Sequence, residues 1–215
     1  MTAWLAGGQL LGLALFLGVV SQRVVHLWTR QRRLAVRVGL REGALPALLL
    51  ALTNGWVLLV LARTIPLQWA WLQRLLGRPV LYAPLAWLGA ALACGGFVLF
   101  VAAMRDLGGS WRLGIDTDHP GSLVTTGAYG VTRNPIYLFF DLYFLGTALM
   151  NGNLVFLVLL ACMAAGLHTQ IRIEERFLAR VHGPRYAHYC RQTPRYVSLA
   201  PLAARIAARR ARREA

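Results

Sequence analysis

Apolar residues run in blocks too long and too even for the alternation or stripe of a soluble fold. Three blocks, roughly Ala3 to Leu27, Ala44 to Ala62 and Val80 to Met104, are each about 20 residues or longer. That is the length of helix that crosses the hydrocarbon core of a bilayer. Two shorter blocks follow, Ile136 to Met150 and Leu154 to Leu167, joined by Asn151-Gly152-Asn153. Asn and Gly tolerate positive φ, so this tripeptide predicts a tight turn and the pair predicts a hairpin. Each arm of about 15 residues makes only about 23 Å of helix, so the arms sit in a thin region or stop short of a full span. The first block lacks a basic leader and is expected to stay as a span instead of being cleaved. Trp4 and Trp28 flank it as interfacial anchors.

Charge orients these spans. The chain has 23 basic residues against 8 acidic ones, and every basic residue is Arg. With five spans, the first loop (Arg23 to Arg41), the third (Arg105, Arg112, Arg133) and the C-terminal segment (Arg172 to Arg213) share a side, while the second loop holds Arg63, Arg74 and Arg78. Positive charge prefers the cytoplasmic side, which puts the N-terminus outside and the C-terminus in the cytoplasm. Residues Leu67 to Leu76, with Trp69 and Trp71, read as an amphipathic stretch on the outer surface. From Ser198 onward, Leu199, Leu202 and Ile206 precede an arginine run, as in a short basic helix lying on an anionic leaflet.

The composition agrees: 57% hydrophobic and 14% charged is too little charge for a soluble domain of 215 residues. The arginines flank spans instead of forming one face, so no nucleic-acid partner is expected. Cys94, Cys162 and Cys190 form no CxxC or Cys/His cluster, so neither a metal site nor a disulfide framework is expected. Uniform Arg usage points to a GC-rich genome, and the expected location is a bacterial inner membrane. The expected fold is an all-α integral membrane protein forming one domain. Residues 1–105 supply three helices, 106–197 hold the hairpin 136–167 and the candidate chemistry, and 198–215 form the tail.

The chemistry-bearing residues bracket the hairpin. Before it stand Leu123-Val124-Thr125-Thr126-Gly127-Ala128-Tyr129 and Arg133-Asn134-Pro135-Ile136-Tyr137. After it stand Glu174-Glu175-Arg176-Phe177-Leu178, Gly183-Pro184-Arg185-Tyr186, Tyr189 and Pro194-Arg195-Tyr196. A hairpin returns the chain to the side it left, so both clusters are expected to meet at one membrane face. Pro135 suits a first helical turn, and Asn134 is placed to cap that helix, whose free N–H groups favour an anion. Tyr129, Tyr137, Tyr186 and Tyr189 offer ring faces and hydroxyls. Asp141 is an ionisable group within a span and hence a candidate for function, or for pairing with an Arg near the interface. Glu174 and Glu175 share a helix with Arg172 and Arg176, so ion pairs on that helix compete with a ligand role. His168 is expected to be hydrogen-bonded near the interface. Asp116, Asp118 and His119 either contribute to the site or solvate a loop. An anion site, two carboxylates and aromatic walls together suit a zwitterionic, adenine-containing sulfonium such as S-adenosylmethionine.

The combined pattern, about a third of the chain, resembles the isoprenylcysteine carboxyl methyltransferase and phospholipid methyltransferase superfamily. The resemblance implies an integral-membrane methyltransferase using S-adenosylmethionine in a cytoplasmic pocket, with a lipid or hydrophobic acceptor entering from the bilayer. It implies cofactor contacts from Ser122, Leu123, Val124, Gly127, Tyr129, Arg133, Asn134, Pro135, Tyr137, Glu174, Glu175, Tyr186 and Tyr189. Asp141, Arg172 and Glu175 are the candidate catalytic residues, with Asp141 orienting or deprotonating the acceptor. The prenylcysteine enzymes generally carry His where Asn134 stands, and an Arg one turn before the cofactor glutamate, where this chain has Gln170 and Ile171. That departure weakens a carboxylate acceptor and leaves amine, carboxylate and thiol open. Two other readings compete: a nicotinamide-dependent membrane reductase of the steroid 5α-reductase type, and a non-enzymatic scaffold whose basic tail binds anionic lipid. Oligomeric state is open.

Overall fold

The computed structural model describes residues 3–31, 44–64, 83–108 and 121–197. The stretch 67–76, the residues Asp116, Asp118 and His119, and the tail from Ser198 lie outside the described residues. The elements are α1 (Ala3–Gln31), α2 (Ala44–Thr64), α3 (Ala83–Leu107), a short α4 (Ala128–Val131), α5 (Pro135–Asn151) and α6 (Leu154–Gln192). No strand occurs among the described residues. α2, α3 and α6 are long and apolar enough to cross a membrane, and Ala6–Gln22 is a shorter apolar stretch of α1. Large apolar side chains such as Leu11, Leu58, Trp87, Val98 and Leu154 face outward. An apolar exterior on apolar helices suits lipid as the solvent. This is an all-α integral membrane protein.

Each predicted block is a helix over its described residues, but the last does not end where its apolar run ends. α6 continues as helix to Gln192, well beyond Leu167. Its apolar first half, residues 154–171, is the spanning part, about 27 Å long; the polar second half projects past it. Helix propensity and the backbone hydrogen bonds carry on once the apolar residues stop, so hydropathy marks the span and not the helix. α5, with 17 residues, does remain short.

The hairpin turn forms as its residues dictate. Gly152 sits in the left-handed region at φ 52° and donates its N–H to the Ala148 carbonyl. Asn153 caps α6, its Oδ1 accepting from the Val155 N–H at 2.7 Å. At the other end of α6, Gly183 takes φ 47°, ψ −123° ahead of Pro184. Pro disfavours a helical residue before it, and Gly absorbs the resulting bend. The kink re-aims the last turns, which carry Tyr186 and Tyr189.

The core is built around α5. α3 packs most extensively against it, because Gly89 and Gly146 leave room: a Cβ on either would run into the other's carbonyl oxygen. Small residues let helix backbones approach closely where lipid gives no hydrophobic drive for association. Phe16 of α1 joins Phe100 and Phe139 at ring separations of 5.4 and 5.6 Å. Trp56 of α2 is buried against Phe144 and Phe156, and its Nε1 donates to Thr147 Oγ1 at 3.1 Å. Asn151 donates to Gln9 at 3.1 Å, linking α5 to α1. Trp4 stacks on Trp87 with centroids 4.2 Å apart; the Trp28 side chain lies outside the described residues.

Candidate functional site

The start of α5, the polar half of α6 and the segment 193–197 meet at one end of the bundle, as the hairpin requires. Segment 193–197 is tied down mostly through its backbone. The Arg133 N–H donates to the Pro194 carbonyl at 2.9 Å. The Arg195 carbonyl accepts from Thr132 Oγ1 at 3.0 Å and from Asn134 Nδ2 at 3.1 Å. Tyr196 reaches back to His168 Nδ1 at 2.8 Å. Asn134 therefore occupies the cap position without capping through its side chain. The expectation of a side-chain cap fails because the amide is drawn to Arg195 and to Glu175.

Glu175 is the hub. Its Oε1 meets Arg133 Nη2 at 3.0 Å and Asn134 Nδ2 at 3.3 Å. Its Oε2 accepts from Arg195 Nη2 at 2.6 Å and Nε at 2.9 Å. Burial alone would raise this carboxyl's pKa, but the Arg195 and Arg133 guanidiniums and the Asn134 amide outweigh it and hold the group below its ordinary value. The same pairing raises Arg195 above its ordinary value. The helix-surface pairs anticipated with Arg172 and Arg176 do not form: the partners of Glu175 come from α5's start and segment 193–197, and Arg176 Nε bonds the Arg172 carbonyl instead.

Glu174, one residue earlier, points elsewhere. It accepts from the Tyr137 hydroxyl and from Gln170 Nε2, the latter at 3.5 Å. Tyr129 lies within its electrostatic reach: burial first, and then Glu174, raise the Tyr129 phenol, which stays protonated. Gln170 Oε1 is buried with no hydrogen-bond partner. Tyr189 donates to the Tyr129 carbonyl at 2.6 Å, tying α4 to the end of α6.

Two cavities flank this arrangement. One, of about 620 Å³, is lined by Arg133, Arg172, Glu175, Arg176, Ala179, Tyr186, Cys190 and Arg195. The other, of about 430 Å³, is lined by Leu123, Thr125, Tyr189 and neighbouring residues of the kinked end of α6. Both fall in the range of small-molecule sites. The candidate residues thus divide. Arg133, Glu175, Arg172 and Tyr186 share the first cavity, and Leu123 and Tyr189 the second. Tyr129, Tyr137 and Glu174 cluster between α4, α5 and α6. Pro135 is buried in α5's first turn, Val124 is half-buried, and Ser122 and Gly127 are exposed. Asp141 is half-buried one turn beyond Tyr137, close enough to act on Tyr196, and has no hydrogen bond or arginine partner among the described residues.

Two contributors escaped the sequence reading. Thr132 acts through a hydroxyl that sits at an unremarkable position. Asp106, at the end of α3, accepts from the Ala128 N–H at 2.7 Å, and Gly127 lies so close that a Cβ there would overlap its carboxylate. Gly127 also sits at φ 63°. A lone carboxylate closing an apolar span was the available signal.

The fold and site define a helical membrane protein with a polar site at one end of its bundle, gathered from two sequence clusters. The family model of phospholipid methyltransferases matches residues 85–185, which hold α5, its partner α3 and the hub residues Arg133, Asn134 and Glu175. Over 76 residues the chain is 38% identical to the cobalt-zinc-cadmium resistance protein CzcN of Cupriavidus metallidurans, covering 35% of each chain. Over 80 residues it is 34% identical to the protein-S-isoprenylcysteine O-methyltransferase of Schizosaccharomyces pombe, covering 37% of this chain and 34% of that protein. The match therefore spans about a third of each curated relative. No solved structure matches the chain. Through this region, just under half of the chain, the sequence is similar to the phospholipid methyltransferases and to an isoprenylcysteine O-methyltransferase.

Proposed function

We propose that this protein is an S-adenosylmethionine-dependent methyltransferase acting on a lipid or hydrophobic acceptor, with its polar site on the cytoplasmic side. One observation carries the reading: Glu174, the tyrosines 129 and 137 and the buried, unpartnered Gln170 Oε1 converge between α4, α5 and α6. A carboxylate, an orphan acceptor oxygen and aromatic rings suit a ligand that carries N–H donors and positive charge. S-adenosylmethionine has both, in its ammonium and sulfonium groups. Glu174 and Gln170 would hold the ammonium, Tyr129 and Tyr137 the sulfonium, and the cavity beside Leu123, Thr125 and Tyr189 the remainder. When bound, the cofactor supplies an electrophilic methyl group on sulfur.

The chain's own residues do the rest. The Glu175 hub fixes the start of α5 against α6, which keeps Tyr137 and Glu174 in register; such positioning is what a displacement reaction needs most. The spanning helices exclude water from the acceptor's side. Asp141 lies four residues after Tyr137, on the same face of α5. It would orient the acceptor, or take a proton from an amine. Calorimetry on detergent-purified protein tests the reading. S-adenosylmethionine should bind, and Glu174→Gln should weaken it roughly 10- to 100-fold, the range for a charge-assisted contact. Binding of NADPH in its place would favour a reductase, and binding of neither would leave the scaffold.

A further inference from the structure

The 620 Å³ cavity has a chemistry opposite to that of the Glu174 cluster. It gathers four guanidinium groups, from Arg133, Arg172, Arg176 and Arg195, around one carboxylate, Glu175. Both oxygens of that carboxylate are already taken, Oε1 by Arg133 and Asn134 and Oε2 by Arg195. Arg172 and Arg176 have no acidic partner among the described residues. One further donor, Arg133 Nε, is buried and unsatisfied, and the hydroxyl of Tyr186, a residue only 4% exposed, has at most the weak sulfur acceptor of Cys190 beside it. A buried donor left without an acceptor is costly and seldom occurs without a ligand or ordered water to meet it. The unmet groups of this cavity are thus donors, backed by excess positive charge. The ammonium and sulfonium of S-adenosylmethionine suit it poorly and its single carboxylate offers two acceptor oxygens, whereas a phosphate-type anion offers more acceptor oxygens to these groups.

We propose that this arginine cavity is a binding site for a phosphate-type anion, distinct from the cofactor side of α6. Guanidinium forks match phosphate oxygens in geometry as well as charge. The position suits a membrane-borne source: Arg172 is the first charged residue of α6 after its apolar run, where basic residues flank a span. A phosphodiester headgroup and free phosphate share this chemistry, and the experiment separates them. The inference does not depend on the methyltransferase reading.

The full chain, purified in a neutral detergent, is titrated by calorimetry with inorganic phosphate, dihexanoyl phosphatidic acid, dihexanoyl phosphatidylglycerol and phosphate-free dihexanoylglycerol. The phosphate-bearing probes should bind saturably and dihexanoylglycerol should not. A lipid preferred at least tenfold over inorganic phosphate identifies a headgroup site, and equal affinity a soluble-anion site; both support the assignment. Arg172→Gln/Arg176→Gln changes two exposed side chains and spares the Glu175 hub; it should weaken phosphate binding tenfold or more. Tyr186→Phe keeps the ring's packing and should weaken binding a few-fold. Saturating S-adenosylmethionine should leave the wild-type protein's affinity for phosphate unchanged, as two separate sites require. Absence of binding by every phosphate probe, binding unchanged in both variants, or competition between phosphate and S-adenosylmethionine would each overturn the proposal; the last would make the cavity the cofactor's carboxylate site.

Discussion

Glu174 and Glu175 are neighbours in sequence, identical in chemistry, and opposite in use. Consecutive helical residues point about 100° apart. For Glu175 that direction leads to Arg133, Asn134 and Arg195; for Glu174 it leads to Tyr137 and Gln170. The first carboxylate joins three chain segments and is saturated by charged donors. The second sits among phenols and an amide whose oxygen has no partner. Identity and spacing say that two carboxylates are present. What surrounds each one decides whether it is mortar or a ligand group.

The comparison can be broken experimentally. The largest effect is expected from Glu175→Ala, which strands Arg133 beside its unmet Nε. Losing one partner of a largely buried pair should cost about 3 kcal/mol, read from thermal unfolding in detergent. Adding Arg133→Ala to that variant should cost little more, and a double-mutant cycle showing independent effects would contradict the hub. Glu174→Gln keeps an acceptor oxygen for the Tyr137 hydroxyl and should leave unfolding within about 0.5 kcal/mol of wild type. Next comes Gly146→Val, which forces α3 from α5 and should cost about 2 kcal/mol by overpacking; an unchanged melting temperature would refute the close crossing.

Acid sharpens the same contrast. The Glu175 carboxyl has a folded-state pKa below its ordinary 4.5. Its contribution is therefore fully present above that ordinary value and is lost as pH falls through the depressed one. Melting temperature followed from pH 7 to pH 3 should show an acid limb in wild type that is reduced in Glu175→Gln. A smaller effect than that of Gly146→Val belongs to Asp106→Ala. Removing an exposed acceptor from the Ala128 N–H should cost about 1 kcal/mol and speed hydrogen exchange at Ala128 without moving exchange in α2.

Much of the fold was legible. The apolar blocks, the Asn151-Gly152-Asn153 turn and Pro135 in α5's first turn each follow from local rules, since hydropathy, left-handed φ and proline geometry act within a few residues. The meeting of the two polar clusters was legible too, because a hairpin leaves its ends no other place. Partner choice was not. Asn134 reads as a cap until Arg195 arrives from some sixty residues away, and Arg172 and Arg176 read as partners for the glutamates until Arg133 and Arg195 take Glu175 and Tyr137 and Gln170 take Glu174. Asp106 carries no motif at all.

By itself the sequence determined that this is a helical membrane protein with a polar site at one end of its last hairpin, because burial in lipid and turn chemistry are local properties. Only the tertiary structure decided which carboxylate ties the site together, where the unmet donors and acceptors lie, and that they fall into separate groups. Hydrogen bonds and ion pairs depend on direction and on what else competes within a few ångströms, and those are properties of the packed chain.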